Sequence, residues 1–131
     1  MIPRGIRNNN PGNIRLNPKI TWIGQAEVQT DPSFVVFTSP VYGLRAIGKI
    51  MKKYEKDGIS TIDGAINRWA PPSENNSTAY IQAVCTDCAL APQEPVSLSK
   101  ILLPLIKAIV THENGQQPYS DELINQAIAL T

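Results

Sequence analysis

The chain changes character at Ser39-Pro40, and that change limits the folds open to it. Before it, residues 1–38 are rich in Asn, Pro and Gly, and only short pieces suit an extended backbone: Asn13 to Leu16, Thr21 to Val28 and Phe34 to Phe37. The last of these, FVVF, joins aromatic and β-branched residues and follows the turn-forming run Thr30-Asp31-Pro32-Ser33. A small, irregular antiparallel sheet is the expected arrangement. After the change the apolar period becomes helical. Ser39 can cap, Pro40 suits the first helical position, and Val41, Leu44, Ile47, Met51 and Tyr54 fall on one face until Gly58 ends the segment.

Four further helices are expected. One runs from Ile62 to Trp69, capped by Thr61 and stopped by Pro71-Pro72, and another from Thr78 to Cys88 with Tyr80 and Val84 on a common face. After the linker ALAPQEPV, Pro104 can open a helix that reaches Glu113 and closes at Gly115, and a last helix starts near Ser120 with Asp121 and Glu122 in its first turn. The expected fold class is therefore α+β, mainly α: residues 1–38 as loop and small sheet, residues 39–131 as a helical body. With 131 residues, 42% of them apolar, the chain can bury one core and is short for two ordinary domains.

Charge and cysteines exclude more than they identify. Twelve Lys and Arg against eleven Asp and Glu leave a formal net charge of +1, too little to hold nucleic acid or an anionic membrane through a global field. Arg45, Lys49, Lys52, Lys53 and Lys56 do gather on one side of the first long helix, as a solvated face or as a face that meets an anionic polymer. The start, MIPRGIRNNNPGNIR, lacks the apolar core of a secretory signal, so export by another route is expected: a virion, a dedicated machine or lysis of the producing cell. Cys85 and Cys88 form a single CTDC, and a zinc site needs about four ligands where His112 is the chain's one histidine. The expectation is no metal and no cofactor, with the thiols as small buried side chains.

The most informative segment is LLPLIKAIVTHENG, an apolar helical run that leads directly to Glu113 in the last turn. A carboxylate there meets the negative end of the helix dipole, at a cost of a few tenths to about 1 kcal/mol. Together with burial against Ile109 and Val110, the dipole would disfavour the charged form and suit Glu113 to proton donation, as glycosidic cleavage near neutral pH requires. The alternative is a glutamate that points into solvent beside His112.

Resemblance sharpens this reading. RGIRNNNPGNIR, WIGQ, FVVFTSPVYGLRAI, INRWAPPSENNSTAYIQAV and IVTHENGQQPYS, in order and across nearly the whole chain, resemble a family of small phage and prophage virion-associated or lytic proteins. More distantly, NNNPGNIR, WIG and FVVFTSPVYGLRA resemble a glucosaminidase pattern of an asparagine turn, a Trp-x-Gly and an aromatic strand before a helix. THENG is similar to the Glu-Ser-Gly that ends the catalytic helix of lysozymes and lytic transglycosylases, and STAYIQAV to the Thr-x-x-Tyr-Val motif of the latter. In glucosaminidases the catalytic Glu precedes the asparagine turn, whereas Glu113 follows it, so the resemblance implies a circularly permuted lysozyme-like domain. Permutation is physically accessible where the termini of a domain lie close together.

The resemblance implies an enzyme that cleaves the glycan strands of peptidoglycan, as a muramidase, glucosaminidase or lytic transglycosylase, with Glu113 as general acid and Tyr80 beside it. Glu27, in the hairpin expected over WIGQAEVQTD, is the candidate second carboxylate, with Asp31 behind it. Asn8, Asn9, Asn10 and Asn13 offer amide donors and acceptors to sugar hydroxyl and N-acetyl groups, with Gln25, Glu74 and Asn75 as further lining and Trp22 and Trp69 as flat apolar faces. Each of these has a plain structural alternative as turn or core. The expected partners are peptidoglycan strands and other virion proteins, without nucleic acid or membrane. The expected locations are the virion or host cytoplasm before release and the periplasm or cell wall in action. The alternative function is a non-catalytic virion or wall-binding protein.

Overall fold

The computed structural model describes residues 1–131 as a mainly helical molecule: α1 (Arg4–Arg7), α2 (Pro40–Lys56), α3 (Ile62–Trp69), α4 (Ser77–Cys88), a 3-10 turn (Leu98–Lys100), α5 (Leu102–Asn114) and α6 (Asp121–Ala129). The helix ends follow local chemistry. Thr61 accepts a hydrogen bond from the Gly64 amide at 3.0 Å, and Ser120 from the Leu123 amide at 3.1 Å, as N-cap side chains do. Ser39 holds the N-cap position of α2 but makes no capping bond through its hydroxyl, and Pro40 supplies the helical φ instead. Gly58 and Gly115 adopt the left-handed conformation just beyond α2 and at the end of α5.

One helix start and one whole element differ from expectation. α5 begins at Leu102, two residues before Pro104, because the first four amides of a helix have no internal acceptor and a proline among them breaks no bond. α1 is the element missing from the sequence reading; it is one turn of RGIR, too short to show a period.

The small antiparallel sheet is absent, which corrects the α+β class and the sheet-bearing, circularly permuted lysozyme-like arrangement expected with it. Two isolated antiparallel bridges, Arg15 with Phe34 and Gln25 with Phe37, stand in its place. The cause lies in the amide side chains. Asn9 donates to the Phe37 carbonyl at 3.0 Å, Asn10 to the Val35 carbonyl at 2.9 Å, and Gln29 brackets Val36 by donating to its carbonyl and accepting from its amide. Side-chain amides thus occupy ladder positions that a neighbouring strand would need, and pairing cannot propagate.

The main core is built from the helices, with Leu44, Ile47 and Met51 of α2, Ile62 and Ile66 of α3, Tyr80 and Val84 of α4, Leu105, Ile106 and Ile109 of α5, and Ile124 of α6 all buried. α5 packs against α2, α4 and α6, which is why its sequence is apolar on nearly every side. A second small cluster, Val35, Phe37 and Ala46, seats the N-terminal segment on α2. Gly43 permits that seating, because a Cβ there would collide with the Asn9 carbonyl oxygen.

The irregular segment is also held by charge. Asp31, 6% exposed, accepts both Arg4 Nε and Nη2 at 2.6 Å, the Asn8 amide at 3.0 Å, and the backbone amides of Ser33 and Phe34. The Arg4 hydrogen bonds, followed by those from Ser33, Asn8 and Phe34, hold the Asp31 carboxyl well below the usual carboxylate range despite its burial. Because the folded value is depressed, its stabilisation is fully present above the unfolded pKa of ~3.9 and is lost as pH falls toward the folded value. Thermal melts of the wild type are therefore expected to drop more steeply below about pH 4 than those of Asp31→Asn, whose side chain does not titrate. Parallel curves would remove this pair as a source of acid sensitivity.

Candidate functional site

Glu113 sits one residue before the end of α5, half-buried, with both carboxylate oxygens engaged. Asn13 Nδ2 donates to Oε1 at 3.0 Å, and the Tyr80 hydroxyl donates to Oε2 at 2.9 Å. Three distant parts of the chain meet at one carboxyl. The neighbouring Asn114 fastens the same corner, its amide donating to the Pro11 carbonyl at 2.8 Å and the Val110 carbonyl at 3.0 Å.

Each partner is positioned from behind. Asn10, fully buried, donates to the Ile14 and Val35 carbonyls and accepts from the Ile14 amide, which closes the turn that carries Asn13 in a left-handed conformation. Asparagine tolerates that conformation better than most residues. Tyr80 is 2% exposed, accepts from Trp69 Nε1 at 3.0 Å, and stacks on His112 with ring centroids 3.8 Å apart. Its pKa is raised, first by burial and then by the Glu113 charge and the hydrogen bond to it, so the phenol remains a proton-bearing donor.

In front of Glu113 lies an open cavity of about 420 Å³, walled by Asn13, Arg15, Phe34, Tyr54, Trp69 and Glu74 among others. Arg15 and Arg4 both lie over the Phe34 ring, at 5.3 and 4.6 Å from its centroid. The wall combines aromatic surface, amides, one cation and two carboxylates, Glu113 and Glu74.

Of the residues singled out in the sequence, Glu113, Asn13, Glu74, Asn75 and Trp69 line this cavity. Tyr80 reaches Glu113 from the core side and does not line it. Asn8, Asn9 and Asn10 face inward as structural amides, bonded to Asp31, to Phe37, and to Ile14 and Val35. Gln25 accepts from the Trp22 amide at 3.1 Å and closes its own turn. Glu27 is exposed and lies off the cavity wall, and Asp31 is committed to Arg4. Arg15, Phe34, Ile50 and Tyr54 were not singled out as site residues. Phe34 and Tyr54 read as strand and helix core, and nothing in the spacing joins them to Glu113.

Cys85 and Cys88 are free; burial chiefly, then Asp63, raises the Cys85 thiol, while burial, Asp87 and Cys85 push Cys88 up to about 11. No group of three His, Cys, Asp or Glu stands close enough to hold a metal ion. No helix is long and apolar enough to cross a membrane.

Fold and site together define a class: a helical protein with an open polar cleft arranged about one hydrogen-bonded glutamate. No protein-family model matches the chain. It is 37% identical over 124 residues to Protein P5 of Pseudoalteromonas phage PM2, a match that covers 92% of this chain and 77% of the relative. The chain belongs to the family of that phage protein, in keeping with the phage resemblance of its motifs.

Gly5 sits where the two halves of this corner meet. A Cβ there would lie 2.6 Å from Asn114 Oδ1 and 2.8 Å from Asn13 Oδ1, two buried oxygens without hydrogen-bond partners. Gly5→Ala is expected to push both amides aside, to destabilise the fold by about 1–3 kcal/mol, and to shift the side-chain amide resonances of Asn13 and Asn114 in NMR spectra. Unchanged resonances would show that the corner yields elsewhere.

Proposed function

We propose that the protein is a peptidoglycan-cleaving glycosidase in which Glu113 is the general acid. The supporting observation is the fixed carboxyl of Glu113 at the wall of an open cavity, gripped by Asn13 and by Tyr80 from the core. The resemblance of THENG and STAYIQAV to lytic transglycosylase motifs, and membership of a phage family, add to it.

The chemistry follows from the geometry. Each carboxylate oxygen offers two acceptor positions, and Asn13 and Tyr80 take one on each. A remaining position can carry the catalytic proton toward the cavity. That proton passes to the bridging glycosidic oxygen as the bond from C1 to that oxygen breaks, and the leaving sugar departs as an alcohol. In a one-carboxylate route the Glu113 carboxylate then takes a proton from the nucleophile as its oxygen bonds to C1, whereas in a two-carboxylate route Glu74 takes that proton. The nucleophile is water in a hydrolase and the C6 hydroxyl of the same ring in a lytic transglycosylase. The two fixed donors keep the carboxyl from turning between these steps. The cavity falls within the usual range of ~300–1,000 Å³ for ligand sites, and Trp69 and Tyr54 provide flat faces for sugar rings.

Glu74 is the other carboxylate on the wall, and it takes the place that Glu27 held in the sequence reading as candidate base. Purified peptidoglycan is expected to be cleared by the wild type, with Glu113→Gln slower by at least about a hundredfold while still folding cooperatively, its melting temperature modestly lowered because the Gln amide nitrogen cannot accept from both Asn13 and Tyr80. Equal clearing by both would remove Glu113 from the reaction. Absence of clearing by either would favour a non-catalytic binding protein. Mass analysis separates the routes: anhydro ends that survive Glu74→Gln indicate the one-carboxylate mechanism, and reducing ends lost in Glu74→Gln indicate hydrolysis with Glu74 as base.

A further inference from the structure

The cavity before Glu113 does not end at Tyr54. It runs on, across the shared residues Ile14, Arg15, Ile50 and Tyr54, into a second groove of about 680 Å³ between α2 and residues 14–22. Leu16, Ile20 and Trp22 form much of its apolar wall, and Arg15, Lys49 and Lys53 stand along it without a single carboxylate in the lining. These cations differ in availability. Lys53 is paired with Asp57 at 2.6 Å, whereas Lys49 and Arg15 have no ion pair. Elsewhere on the basic side of α2, Arg45 is occupied with the Leu130 carbonyl at 3.1 Å. The fold therefore engages Lys53 and Arg45 in its own contacts and leaves Lys49 at the groove.

We propose that this groove binds the stem peptide of peptidoglycan, the acidic, alanine-containing peptide carried by the lactyl group of the muramic sugar. The inference rests on the glycosidase reading of the Glu113 cavity and names the substrate feature that the adjoining surface selects. Continuity places a side branch of a glycan seated at Glu113 within reach of the groove. Charge complementarity matches peptide carboxylates to Lys49 and Arg15, and the apolar wall matches alanine methyl groups. A strand stripped by an amidase keeps only the lactyl carboxylate, held close to the sugar ring, and lacks both the alanine methyl groups and the carboxylates further along the peptide.

The test is calorimetric binding of two soluble glycan fragments of equal length to full-length Glu113→Gln protein. One fragment keeps its stem peptides and the other has been stripped of them by an amidase. The intact fragment is expected to bind roughly tenfold more tightly, as a pair of exposed ionic contacts would provide. Higher salt should erase the difference. Adding Lys49→Glu, or the milder Lys49→Gln, should remove most of the preference and leave the stripped fragment's affinity unchanged.

Equal binding of the two fragments to Glu113→Gln overturns the stem-peptide site and leaves the glycosidase reading standing. Binding of neither overturns both. Duplex DNA that displaces the intact fragment as effectively as added stem peptide would assign the cations to polyanions in general, which also overturns the proposal.

Discussion

The buried side chain of Asn10 is the interaction on which the rest of this structure depends. An amide without exposure to solvent must satisfy its donors and acceptor inside the protein, and Asn10 does so on Ile14 and Val35. Those bonds convert a stretch of Asn, Pro and Gly into a fixed turn. Without it Asn13 would have no defined place, Asn114 would lose the Pro11 carbonyl it holds, and the N-terminal segment would rest on α2 chiefly through the small Phe37 cluster and the contact of Asn9 with Gly43. Leaving such groups unpaired costs about 1–3 kcal/mol each, so the turn is enforced by more than its local preference.

The second requirement is that α5 be buried for most of its length and open at one end. Leu105, Ile106, Ile109 and Val110 fix its axis in the core, which leaves Glu113 little freedom to move. The end of a helix is an unfavourable place for a carboxylate. Asn13 and the Tyr80 hydroxyl offset that cost with two directed donors, and Trp69 holds the phenol in turn. A chain of packed aromatic groups thus extends from the α3 and α4 helices to the carboxyl, with His112 stacked on the outer side. The same residues serve packing and positioning, so core and site here are one construction.

Much of the helical framework was legible in the residues. Thr61, Ser120, Gly58 and Gly115 mark ends by chemistry that acts within one turn, and the apolar period of α2 and α5 states which sides are buried. Glu113 was legible for a related reason: a carboxylate in a last helical turn conflicts with the dipole, and the conflict can be seen from sequence alone. The sheet was misread because FVVF has strand composition, yet its hydrogen-bonding groups are claimed by Asn9, Asn10 and Gln29 from elsewhere in the chain. The asparagine run was misassigned in part for the same reason. Its residue types suit sugar binding and backbone bracing equally, and only Asn13 reaches the cavity.

By itself, then, the sequence determined five of the helices, the caps at Thr61 and Ser120 and the position of one glutamate in a last helical turn, because these depend on neighbours a few residues away. The tertiary structure alone decided that Asn13 and Tyr80 grip that glutamate, that Glu74 shares its cavity while Glu27 does not, and that Lys49 borders a groove continuous with it. Those facts join residues up to 100 positions apart. No periodicity encodes such separations; they follow from how α5 packs in the core and how a buried amide pins the loop across its end.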